Sequence, residues 1–287
     1  MKISLSGSGG FIGTALSAHL KNLGHVVSPV RTSDFALDEI AFAAKFEGAD
    51  AVINLAGAPI IGRWSEEYKK KIYESRVFTT SRIIKAISSL DNKPELLISA
   101  SAVGIYDNKN TYDEDNARYA DDFLAKVCKD WESEAEKARG AGIRTAIFRF
   151  GVVLGTGGGA LRQMLLPFKM GLGGKTGDGR QHFSWIELSD ALRAFEHIIN
   201  NKGLDGAFNI VSPNPVTNAV FTETLARVLN RPAFLSIPAF ALKLIFSEGA
   251  KVLTDGQSAI PARLLKSGFK FNFPELENAL KHILKAN

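Results

Sequence analysis

The sequence predicts an α/β protein, a doubly wound parallel sheet followed by a smaller second part. Three observations predict it. Short apolar runs alternate with helical patterns through roughly the first half of the chain, as stacked βαβ units require. A glycine-rich turn follows the first apolar run directly, at Gly7-Ser8-Gly9-Gly10-Phe11-Ile12-Gly13. After Gly155 the text changes to glycine clusters, Gly157-Gly158-Gly159, Gly171-Leu172-Gly173-Gly174 and Gly177-Asp178-Gly179, which read as loops of a second unit.

In order along the chain, residues 3–6 read as the first strand, 13–23 as a helix and 26–30 as the second strand. Residues 34–46 carry a weak helical pattern, 51–55 a strand, and 66–90 a long helical pattern with room for a break. A buried strand is expected at 96–100, an amphipathic helix ending at glycines over 123–140, and another strand at 145–150. Residues 189–199 and 207–211 are expected to return to the main sheet as one more helix and strand. The expected division is therefore 1–155 for nucleotide binding and 156–287 for a smaller substrate-binding part, with 189–211 rejoining the first.

Composition narrows the partners. At 287 residues the chain is long enough to bury a full core. The formal charge of +5 comes from scattered Lys and Arg, not from runs that would track a phosphate backbone, so nucleic acid is not expected as a partner. Cys128 is the sole cysteine, which rules out an intrachain disulfide and a thiolate metal cluster. It reads as a small buried apolar residue in a reducing, cytoplasmic compartment, and no metal is expected. No apolar stretch of signal-peptide length precedes the glycine turn. The longest apolar run, 233–246, is broken by Pro238 and Lys243 and falls short of the roughly 20 residues that span a bilayer, so no membrane is expected either.

The turn at Gly7–Gly13 lies between strand and helix, where a helix N-terminus can face a pyrophosphate. Gly7 permits the tight turn, Gly10 a close backbone approach to phosphates, and Gly13 close packing of helix on strand. The spacing is G-x-x-G-x-x-G; the commoner G-x-G-x-x-G would need glycine where Ile12 stands. The second strand ends at Val30-Arg31, where NAD-preferring folds place an acid for the ribose 2′-hydroxyl. Arg31 suits a 2′-phosphate instead, which points to NADP(H). The alternative is that Arg31 is a surface residue and Asp34 supplies the acid. Gly174-Lys175-Thr176 resembles the end of a nucleotide P-loop, but the required first glycine would fall at Lys169 and a helix, not a strand, precedes it, so no ATP site is expected.

With these glycines in place, Asn54-Leu55-Ala56-Gly57 is similar to the N/H-L-A-G/A element of extended short-chain dehydrogenase/reductases. Ser99-Ala100-Ser101-Ala102-Val103-Gly104-Ile105-Tyr106 resembles that family's strand-end serine motif. Arg149-Phe150-Gly151-Val152-Val153-Leu154-Gly155 and Phe183-Ser184-Trp185-Ile186-Glu187-Leu188-Ser189-Asp190 continue the likeness over nearly the whole chain. More narrowly, Asp122-Phe123-Leu124 with Trp131-Glu132, Gly157-Gly158-Gly159 and Met164-Leu165-Leu166-Pro167-Phe168 resemble an atypical subgroup of the NAD(P)-dependent epimerase/dehydratase superfamily called epimerase family proteins. Its members carry the labels of sugar-nucleotide epimerases and, in some cases, cell-division inhibitors. The resemblance implies a Rossmann fold that binds NADP(H), with Gly7, Gly10, Phe11, Ile12 and Gly13 at the pyrophosphate and Arg31 with Thr32 at the 2′-phosphate. It implies Leu55, Ala56 and Gly57 along the adenosine side and Ala100 with Ser101 near the nicotinamide.

The family's chemistry needs tyrosine and lysine four residues apart on one helix face, so that the ammonium lowers the phenol pKa. The five tyrosines, at 68, 73, 106, 112 and 119, are followed four positions on by Ile72, Val77, Asn110, Asn116 and Phe123. None is lysine. Aligning the helix places Lys129 at the lysine position and Ala125 at the tyrosine position, to within a turn. Ser101 and Lys129 are then the catalytic candidates, Lys129 also as a ribose contact. Tyr106, Glu114 or Asp122 are conceivable substitutes for the tyrosine. Tyr112 and Tyr119 read as surface residues, Trp131 with Glu132 as packing plus a solvated acid, and His182 as structural. Two functions stay open: an oxidoreductase or epimerase acting on an unassigned small molecule, such as a nucleotide sugar, and a noncatalytic NADP(H)-binding sensor or partner-binding module. A monomer and a homodimer pairing the 66–90 and 123–140 helices also both stay open.

Overall fold

The computed structural model describes residues 1–285. At its centre is an all-parallel sheet of six strands: β1 (Lys2–Ser6), β2 (Val26–Val30), β3 (Ala51–Asn54), β4 (Leu96–Ala102), β5 (Arg144–Phe150) and β6 (Gly206–Ile210). They lie in the order β6-β5-β4-β3-β1-β2. Chain order reverses between β1 and β3, and in such sheets the crevice outside the strand C-termini at that point receives a ligand. β3 and most of β4 are buried on both faces, which is why they read as continuous apolar runs. β2 is the edge, half exposed, and so tolerates Pro29.

Helices cover both faces. Leu16 and Leu20 of α1 (Phe11–Asn22) pack on one, with Ala194, Phe195 and Ile198 of α7 (Leu188–Asn200). On the other lie Phe42 of α2 (Glu39–Ala43), Ile83 and Ile87 of α4 (Val77–Ser88) and Ala135 of α5 (Phe123–Glu136). The expected helix over 34–46 is instead a 3-10 turn, α2 and a second 3-10 turn, because Asp38 starts a new helix by accepting the Ala41 N–H at 2.8 Å. The 66–90 pattern splits into α3 (Glu66–Glu74) and α4. The break falls at Ser75 and Arg76, whose side chains turn to the backbone of Ala58.

The second part packs α6 (Gly159–Lys169), α8 (Asn218–Leu229) and the terminal helix Leu276–Lys285 around Trp185, Phe221 and Leu225. Gly174–Thr176 is a short strand paired with Leu235–Ile237. Beyond it runs α9 (Ala239–Phe246). No helix among the described residues is long and apolar enough to cross a membrane.

Asp190 ties this part to α7. Fully buried, its carboxylate accepts the backbone N–H groups of Asn272 (2.9 Å) and Phe273 (2.8 Å) and a bond from Arg193. Asp190→Ala strands those donors, each at a cost of about 1–3 kcal/mol. Urea unfolding is expected to register a loss of about 2–4 kcal/mol; a loss under about 0.5 kcal/mol, the size of an ordinary surface substitution, contradicts the anchoring role.

Candidate functional site

Four loops meet at the C-terminal edge of the sheet. The first is the glycine turn. Gly7 has φ +73°, a region that favours glycine, and a Cβ there would lie 2.6 Å from the Leu55 carbonyl. A Cβ on Gly13 would lie 2.1 Å from the Gly7 oxygen. α1 begins at Phe11 with Gly10 as its N-cap, no side chain caps it, and no acid stands in its first turn. Its leading N–H groups are thus free for an anion. The Phe11 ring turns away from them, against the glycine tract that follows β5: a Cβ on Gly155 or Gly158 would come within 2.8 or 2.9 Å of it.

The second loop follows β2. Arg31 and Thr32 are exposed, and the Arg31 guanidinium makes no hydrogen bond or ion pair among the described residues. Asp34 is buried, takes the Arg31 backbone N–H at 2.7 Å and pairs with Lys45 at 3.0 Å. The backbone bond and Lys45 hold its carboxyl below the usual range. The acid weighed as an alternative ribose partner is thus already engaged by Lys45, while the Arg31 guanidinium adds only its charge to the field on Asp34.

The third loop, Leu55-Ala56-Gly57, hangs from Asn54. This fully buried amide accepts from Ser6 Oγ (2.5 Å) and the Ala56 N–H (3.2 Å) and donates to Thr80 Oγ1 (2.7 Å), which also accepts the Trp131 indole N–H (2.8 Å). Arg76, unforeseen in the sequence, braces the loop from below. It donates to the Ala58 and Ile72 carbonyls and lies over the Trp131 ring at 5.4 Å.

The fourth loop leaves β4 at Ser101, and here a buried polar chain begins. Ser101 donates to Glu132 Oε1 of α5 at 2.6 Å. Glu132 takes a two-point bond from Arg149 Nε (2.8 Å) and Nη2 (2.7 Å), and Arg149 stands beside Ser101 in the β4–β5 register. Arg149 Nη1 donates to the Tyr106 hydroxyl (2.8 Å), which donates to Asn209 Oδ1 (2.8 Å), whose backbone N–H reaches Glu114 (2.7 Å). Burial opposes the charge on Arg149, but the bonds and charge of Glu132 outweigh it and raise its pKa. Burial pushes the Tyr106 phenol up to about 12 and raises the Glu114 carboxyl.

Several sequence expectations are corrected by this chain. Glu132 is not a solvated acid: its side chain is 11% exposed and wholly engaged by Ser101 and Arg149. Tyr112 is buried, its hydroxyl on Asp107. Tyr119 does keep an exposed ring, but its hydroxyl accepts from Arg149 Nη2 at 3.2 Å. Among the suggested substitutes for tyrosine, Tyr106 is closed off by burial and Glu114 holds backbone N–H groups of Asn209 and Arg263. Asp122 caps α5 through the Ala125 N–H. Lys129 donates to the Ala120 carbonyl at 2.7 Å, and Ala125 is buried. The α5 face turned to Ser101 carries Glu132 and, one turn earlier, Cys128, whose thiol burial pushes up to about 12. No local signal in the sequence joins Ser101, Glu132 and Arg149.

A parallel sheet whose glycine turn, open helix N-terminus and strand-end serine meet at one crevice is the framework of a dinucleotide-binding Rossmann protein. The profile of the NAD dependent epimerase/dehydratase family matches residues 3–211, and the chain belongs to that family. A second profile, a domain of unknown function (DUF1731), matches residues 237–283. Within the family the chain belongs with the SDR39U1-type epimerase family proteins. It is 38% identical over 304 residues to the chloroplastic SDR39U1 homologue of Arabidopsis thaliana, covering 99% of this chain and 87% of the relative. It is also 38% identical over 300 residues to epimerase family protein YfhF of Bacillus subtilis, covering 99% and 98%. The crystal structure of human epimerase family protein SDR39U1 (isoform 2) with NADPH matches at a TM-score of 0.92 and 36% identity, covering the whole of both chains.

Proposed function

We propose that the chain binds NADP(H) across the crevice and exchanges hydride with an unassigned small molecule, a nucleotide sugar or a compound of like carbonyl or alcohol chemistry, beside Ala100 and Ser101. One observation carries the cofactor reading: an exposed, unpaired Arg31 next to an Asp34 already taken by Lys45. The uncapped turn of α1 suits the pyrophosphate, with Gly7, Gly10 and Gly13 keeping side chains out of the way. Leu55–Gly57 line the adenosine side. NADPH supplies, when bound, a hydride at the nicotinamide C4. Ser101, 3% exposed at the end of β4, is assigned to a substrate oxygen, which requires its hydroxyl to turn from Glu132. Lys129 is kept as a ribose contact, requiring its ammonium to leave the Ala120 carbonyl.

Calorimetric titration of the nucleotide-free protein with NADPH and NADH tests this. Clear preference for NADPH is expected, and Arg31→Ala is expected to weaken NADPH by about 100-fold, the scale of one or two charged hydrogen bonds, while leaving NADH unchanged. Equal affinities in the parent protein sink the NADP reading.

A noncatalytic sensor is the second reading, favoured by the absence of a Tyr-x-x-x-Lys pair and by the commitment of the Ser101 proton to Glu132. Incubation with a metabolite library separates the two. A reductase or epimerase exchanges the C4 hydride stereospecifically with some compound, and a sensor with none.

A further inference from the structure

Among the described residues, nine of the seventeen exposed large hydrophobics fall in two segments, residues 160–177 and 230–247. The segments are laced together. Gly174–Thr176 pairs with Leu235–Ile237, Arg231 donates to the Lys169 carbonyl, and Gly177 N–H reaches the Ile237 carbonyl. Phe234 is 81% exposed and Phe240 and Leu244, one turn apart on α9, are each 76% exposed. Met170 and Leu172 stand at the loop tip after α6. Exposed apolar groups gathered on two laced segments mark an interaction site.

Charge identifies the occupant. The two segments contain Arg162, Lys169, Lys175, Arg231 and Lys243 and no acid, and the acids that bound them, Asp178 and Glu248, are paired with Arg180 and Lys69. All five cations are exposed, and none makes an ion pair among the described residues. A second copy would bring five unpaired cations onto five more. An anionic surface would not. Phe234, Phe240 and Leu244, exposed by three quarters or more, suit an occupant that yields around them. A bilayer interface does this, taking in apolar side chains while flanking lysines and arginines meet its headgroups.

We infer that this face docks the protein peripherally on an anionic phospholipid bilayer. Crossing a membrane needs a long apolar helix; lying on one needs only protruding apolar groups beside unpaired cations.

Sedimentation with vesicles of mixed phosphatidylglycerol and phosphatidylcholine, against phosphatidylcholine alone, tests it. The full chain is expected to pellet with the mixed vesicles only, and less as salt screens the lysines. The double variant Phe240→Asp/Leu244→Asp and the charge reversal Lys169→Glu/Lys243→Glu should each weaken this at least about tenfold. Their thermal midpoints and NADPH affinities should not move, since these side chains lie outside the crevice and away from the core. No pelleting with mixed vesicles overturns the inference, as does equal pelleting by the variants. A dimer seen by light scattering that either variant dissociates also overturns it, because the occupant is then a second copy.

Discussion

Gly13→Ala is expected to remove measurable nicotinamide-nucleotide binding and to lower stability by about 1–3 kcal/mol, the cost of forcing a methyl group into a packed site. The added carbon would lie 2.1 Å from the Gly7 oxygen and 2.8 Å from the Ser8 Cα, both backbone atoms, so neither can swing aside. Relief requires α1 to withdraw from β1. That moves the N–H groups of its first turn off the position an anion would occupy, and binding suffers more than folding does. Gly9→Ala is the control, since nothing lies within 4 Å of a Cβ at that position. Calorimetry and urea unfolding on both variants make the comparison. Equal affinities would mean that the turn is only a connector.

The second large effect is expected at Glu132. Glu132→Ala leaves the Arg149 guanidinium, itself 4% exposed, with two tyrosine hydroxyls and no counter-charge. Removing one partner of a buried pair costs about 3–5 kcal/mol. Replacing both, as Glu132→Leu/Arg149→Leu, is expected to cost less than Glu132→Ala alone, because no charge is then orphaned. Denaturant unfolding of the single and double variants reads this directly. Additive losses would show that the two side chains contribute independently.

The difference between these two sites explains what was legible in the sequence. Gly7, Gly10 and Gly13 lie within one turn and carry their meaning by spacing alone, as do the apolar runs that became β1, β3 and β4. Arg31 and Asp34 were visible as rivals, but only the structure showed that Lys45 occupies the acid. Ser101, Glu132 and Arg149 come from a strand, a helix and the next strand, and meet only through the β4–β5 register and the rotation of α5. One residue of slip on a helix turns a side chain by about 100°. An alignment uncertain by a turn therefore could not separate Lys129, which reaches the Ala120 carbonyl, from Cys128 and Glu132, which face the sheet. The length of the 66–90 pattern left room for a break but did not place it, because what stops the helix is a distant loop claiming Ser75 and Arg76.

Phe11 stands at the first turn of α1, yet its ring measures the distance to another region. Gly155 and Gly158 turn main chain to one side of it and the apolar core takes the rest, so the ring is packed with little room for displacement. Closely packed contacts of this kind transmit movement instead of damping it. The tract leads straight into α6, so a shift of that helix arrives as a push on the residue that opens α1. A molecule that shifts α6 would in this way reach the turn that opens α1 without touching it.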